Sequence, residues 1–201
     1  KSGGLISLVG SENHEAIVTS QKTTGTYSFT VDGEIAARYY KIERLNADGL
    51  HLKSGSTINA ADNLSNGQYS SGTTGGCYMW LENNLAAADA ELQISNVYFN
   101  AGAKYNVKRS RLSSVGNINI RDAVGVIAGY YFENDVDEDK PSAISGAVRW
   151  SYSGEVRHWI GNKDMSGNDD ESGLYGNLWS NPKNWDNGLG QEGTPNAATR
   201  V

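Results

Sequence analysis

Among the residues that could carry chemistry, the densest group is the acidic run Glu133-Asn134-Asp135-Val136-Asp137-Glu138-Asp139. Its carboxylates could ligate Ca²⁺, or supply the paired acids of glycoside hydrolysis. Adjacent acids in one loop do not set the separation across a sugar that a hydrolase needs, and no second acid is marked out by its surroundings. A solvated loop is the plainer reading. Asp164 to Glu171 has oxygen-bearing side chains at alternate positions, like the start of a calcium loop. The pattern then fails, with Asp169 where the sixth-position Gly belongs and Tyr175 where the twelfth-position Glu belongs. No metal is assigned.

His14, His51 and His158 stand apart, without the close pairing of a metal site. Cys77, the single cysteine, excludes an internal disulfide and reads as a small buried apolar residue, and the chain fits folding in a reducing cytosol. No P-loop, dinucleotide fingerprint or nucleophile elbow occurs, so neither a catalytic residue nor a cofactor is assigned. The aromatic residues say more. Five Trp and eleven Tyr occur in a chain short of Leu, Ile and Phe, and such rings build either a core or a carbohydrate or protein contact surface. The ligand-contact candidates are Trp150, Arg157 and Trp159, with Trp179 and Trp185 from a polar, turn-rich tail. If Trp150 and Trp159 point inward, they are core instead.

These side chains need elements to hold them. Short runs rich in β-branched and aromatic residues recur between turn residues at 5–9, 26–31, 34–43, 76–81, 91–99, 124–132, 147–152 and 155–160, which predicts strands. Only Asn84 to Leu92, with its Ala run, could form a short helix, and a loop suits it equally. Asp32-Gly33 predicts a hairpin pairing Thr30 with Ile35 and Tyr27 with Arg38. Ser153-Gly154 predicts another, pairing Val148 with Trp159 and Trp150 with Arg157, whose cation would lie over the indole. Linker-like stretches at 61–76, 133–141 and 162–173 divide the chain into modules at 1–60, 61–132 and 133–201. No repeat of fixed period is evident.

Composition sets the frame. There are 201 residues with 24 Gly, 38% hydrophobic residues and a net charge of −6, against roughly 45–50% apolar residues in a typical domain. The acidic balance disfavours nucleic-acid binding, and the apolar stretches are far shorter than the roughly 20 residues that span a bilayer. The thin apolar content predicts self-association to share a core. The chain begins at Lys1 without Met or a leader pattern, which reads as a piece of a longer polypeptide.

Lys1 to Val9, Asp32 to Arg38, Asp48 to Gly55, Ala147 to Trp150 and His158 to Lys163 resemble the short β modules of tailed-bacteriophage tail fibres. The resemblance implies an elongated all-β homotrimer of short hairpin modules, intertwined and flanked by adjacent fibre segments. It would fold in the host cytoplasm and be mounted on the virion to adhere to a bacterial surface glycan or protein without catalysis. Trp179 to Val201 is similar to β-rich repeats of secreted bacterial adhesins, and a tailspike-type glycan depolymerase is a further alternative.

Overall fold

The structure is a computed structural model that describes residues 3–82, 91–110, 117–134, 148–151, 158–159 and 185–186. The chain forms two compact units, Lys1–Ser151 and Tyr152–Val201. Each is considered by itself.

The first unit is all-β, a parallel solenoid of about four turns. Each turn contributes three strands: β1 (Leu5–Val9), β2 (Ala16–Val18) and β3 (Tyr27–Val31); β4 (Glu34–Arg38), β5 (Tyr40–Glu43) and β6 (Leu45–Leu52); β7 (Thr57–Asn63), β8 (Gly67–Ser70) and β9 (Cys77–Leu81); β10 (Glu91–Ser95), β11 (Tyr98–Phe99) and β12 (Tyr105–Arg109). Strands β13 (Asn117–Arg121) and β14 (Val148–Ser151) continue the stack. Corresponding strands pair in parallel into β1-β4-β7, β2-β5-β8-β11, β3-β6-β9-β12 and β10-β13-β14. Between β7 and β10 side chains carry the ladder. Asn63 Nδ2 donates to Gln93 O at 2.6 Å, and Ser95 N donates to Ser65 Oγ at 2.9 Å.

Both expected hairpins are thereby corrected. Asp32-Gly33 is a corner between two sheets: Thr30 lies beside His51, and Ile35 lies between Ile6 and Ile58. Gly is needed there because the preceding turn runs against it, with Gly4 O 2.4 Å from where a Cβ would stand. In the second case Val148 pairs with Ile118 and Trp150 with Ile120, while His158 and Trp159 pair elsewhere. The repeat was hidden because its length varies. Stacked residues lie 57 − 34 = 23 apart from Glu34 to Thr57, but 98 − 68 = 30 apart from Gln68 to Tyr98.

Corners recur at equivalent positions. Tyr39, Asn66, Asn96 and Asp122 all have left-handed φ, between 51° and 57°. Asn66 N donates to Ser95 O, Asn96 N to Arg121 O and Asp122 N to Ser151 O, so each corner amide meets the next turn's last strand residue. Asn and Asp tolerate this conformation better than most residues, which explains three of the four.

Inside, like positions stack into apolar columns. Phe29, Leu50, Met79 and Val107 form one, Val18, Ile42, Tyr69 and Phe99 another, and Ile94, Ile120 and Trp150 a third. Tyrosine makes up for scarce aliphatics. Tyr40, Tyr69 and Tyr78 are fully buried, and the Tyr40 hydroxyl is satisfied by Leu64 O and the Tyr69 hydroxyl, both at 3.0 Å. From the second turn onward these columns are buried, while Val18 and Phe29 on the first turn stay half-buried.

Other segments differ from expectation as well. Residues 124–132 make one bridge, Tyr98 with Val124, followed by a turn and a 3₁₀ helix at Tyr130–Phe132. The 61–76 stretch holds the end of β7 and all of β8. Residue 60 falls inside β7, so the expected boundary between 60 and 61 cuts a strand. Residues 84–90, the 164–171 loop and most of the 133–141 run lie outside the described residues.

In the second unit, β15 (His158–Trp159) pairs antiparallel with β16 (Trp185–Asp186), setting Trp159 opposite Trp185.

Candidate functional site

Alternation along a strand sends every second side chain outward, and parallel in-register stacking aligns those side chains about 4.8 Å apart. On the third sheet this produces a column of unlike groups, Thr30, His51, Trp80 and Lys108, with Asn134 bridging onto Lys108. The inward neighbours Val31, Leu52 and Leu81 are buried and fix the strands from behind. Trp80 is the centre. The His51 ring stacks on it with centroids 4.1 Å apart and planes 5° off parallel, and Lys108 Nζ lies 3.7 Å from the indole centroid. Since His51 and Lys108 belong to the turns before and after, they occupy opposite faces of the indole. Trp80 Nε1 donates to Ser110 Oγ at 3.3 Å.

Glu82 completes the group. Its Oε1 lies 2.7 Å from His51 Nε2, and its Oε2 accepts the Ser54 backbone N–H at 2.9 Å. Partial burial pushes the Glu82 carboxyl up, but these two bonds and the nearby His51 and Lys53 charges outweigh it and hold the pKa below its ordinary value. The carboxylate is thus already engaged. Lys108 has no ion-pair partner among the described residues.

The arrangement offers one held ammonium, an indole edge and neutral hydrogen-bonding groups in a line. Both indole faces are covered, so a sugar ring cannot stack on Trp80. On the second sheet the equivalent outer column runs Ile17, Lys41, Gln68 and Tyr98. There Lys41 is paired with Glu43 at 2.7 Å and Gln68 with Glu15 at 2.8 Å, leaving no unspent charge in that column.

The residues singled out from sequence lie elsewhere. Trp150 is 4% exposed, packs edge-on against Phe99 at 6.2 Å and donates its Nε1–H to Glu133 Oε2 at 2.6 Å. It is a core residue, which removes it from the contact list. Trp159 and Trp185 oppose each other across β15 and β16; Arg157 and Trp179 lie outside the described residues. Glu133, the first acid of the 133–139 run, is buried under Trp150. Cys77 is buried, and burial pushes its thiol up to about 12 despite nearby Lys108, so it is not a thiolate nucleophile. Among the described residues, no three His, Cys, Asp or Glu side chains gather as a metal site, and no helix is long and apolar enough to cross a membrane.

His51, Trp80 and Lys108 went unrecognised because only the stacking unites them: 80 − 51 = 29 and 108 − 80 = 28 residues separate them. No protein-family model, curated protein or solved structure matches the chain.

Proposed function

We propose that this chain is a structural and receptor-recognition segment of an elongated adhesive assembly, such as a phage tail fibre, that holds a bacterial surface glycan or protein without chemically altering it. The observation that carries this reading is the outer column of the third sheet. It is a rigid line of exposed and half-exposed polar groups whose backbone is ordered before any ligand arrives, so little entropy is lost on contact. Glu82, the carboxylate of this group among the described residues, already accepts from two donors, which suits holding a ligand better than proton transfer.

A secreted bacterial adhesin module is the second reading. It is supported by the likeness of Trp179 to Val201 to adhesin repeats and carries no homotrimer, whereas the fibre reading does. Light scattering separates the two: about three chain masses for the fibre, about 21.6 kDa for a monomeric module. Recognition itself is tested by adsorption of the purified protein to candidate host cells. Failure to adsorb to any surface would sink both readings. Release of reducing ends from capsule or lipopolysaccharide would favour the depolymerase instead.

A further inference from the structure

We infer that the outer column of the third sheet is a subsite for an acidic saccharide, with Lys108 receiving its carboxylate; this rests on the adhesive reading above. Lys108 Nζ is held 3.7 Å above the Trp80 ring centroid and pairs with no carboxylate among the described residues. An ammonium has three donors, and the indole faces only one side of it. The nearest carboxylate in the group does not neutralise it, because Glu82 is already bound by His51 and the Ser54 amide.

The shape of the column selects the ligand further. With His51 on one indole face and Lys108 on the other, nothing can stack on Trp80, so a ligand must lie across the edges of the side chains. Thr30 at one end and Asn134 at the other add a hydroxyl and a carboxamide, groups that exchange hydrogen bonds with sugar hydroxyls. From Thr30 to Asn134 there are four steps of about 4.8 Å, about 19 Å in all, which suits an extended oligosaccharide. A nucleic acid fits poorly, since several phosphates would meet a single Lys in this column on a chain of net charge −6.

The test is a titration of the whole chain with oligogalacturonate, and with maltohexaose as the neutral probe. The parent protein should bind oligogalacturonate with weak salt dependence, as one ion pair dictates, and maltohexaose at least tenfold more weakly. Lys108→Gln should lose about tenfold or more in affinity for the acidic probe, Lys108→Arg should retain most of it, and both should melt like the parent. Equal binding of the two probes by the parent, no binding of oligogalacturonate, or undiminished binding by a folded Lys108→Gln variant would overturn the inference. Should Lys108→Gln unfold, the decision passes to the parent's preference between probes. Adsorption to cells with failure here would leave the adhesive reading standing, and failure to adsorb anywhere would remove it.

Discussion

Gly67 lies under the ring of Tyr40, so close that a Cβ there would stand 2.2 Å from Tyr40 Cζ. The two are register partners on neighbouring turns of the second sheet, and the missing side chain is what lets the ring tuck inside. Tyr40 cannot easily yield, because its hydroxyl is held by Leu64 O and Tyr69. Gly67→Ala should therefore cost about 1–3 kcal/mol, as overpacking does. For a chain of this size that lowers Tm by several degrees. Gly4, which has open space around its Cβ position, is the control: Gly4→Ala should melt like the parent. Equal melting of Gly67→Ala and Gly4→Ala would refute this packing.

The corner column makes a second prediction. Asn96 has φ of 57° and its Nδ2 donates to Asn66 Oδ1 at 3.1 Å in an exposed position. The side-chain bond is worth little in water, so the backbone conformation should dominate the outcome. Asn96→Gly should be nearly neutral, Asn96→Ala should cost about 1 kcal/mol, and Asn96→Val more, because a β-branched residue is worst suited to left-handed φ. Denaturant midpoints ranked in any other order would mean the corner is not held in this conformation.

These two columns mark what could be read in the sequence. Runs of β-branched and aromatic residues between turn residues located β1 to the residue, and β3, β9 and β14 within one, since such runs can be read strand by strand. Partners were not legible. Asp32-Gly33 is as good a corner as a hairpin turn, and the choice between them depends on Leu52 and Ile58, which lie twenty residues or more downstream. Strand β8, Gly-Gln-Tyr-Ser, reads as a linker because only Tyr69 packs inward with any bulk. The site is hidden in the same way: nothing local to Trp80 announces that His51 and Lys108 will cover its faces.

Trp150, expected at a ligand surface, should behave as a core residue. It closes the column above Ile94 and Ile120 and makes a buried bond to Glu133. Trp150→Ala should cost about 3–5 kcal/mol. Trp150→Phe keeps most of the volume but removes the N–H donor, for about 1–3 kcal/mol. Parent-like melting by Trp150→Ala would return this residue to the surface and reopen the sequence-based assignment.

Acid should weaken the solenoid, and two carboxylates on its outer faces set the sign. The Lys41 ammonium beside Glu43 is the main cause of that carboxyl's low pKa, with partial burial opposing it and the Ser70 hydroxyl adding to it. For Glu82, burial acts upward, and the bonds from His51 and the Ser54 amide overcome it. Both folded-state values lie below the ordinary 4.5, so near that pH the unfolded chain binds protons that the folded chain refuses. The stabilisation is fully present above 4.5 and is lost as pH falls through the lower folded-state values. Both side chains are partly exposed, so each contribution is small and should shrink further in high salt. Melting curves between pH 7 and pH 3 should show Tm falling below pH 4.5. Glu82→Gln and Glu43→Gln should each lower Tm slightly at pH 7 and flatten the acid limb, the double variant most. An acid limb of unchanged steepness in the double variant would show that other carboxylates govern it and that neither contact holds in solution.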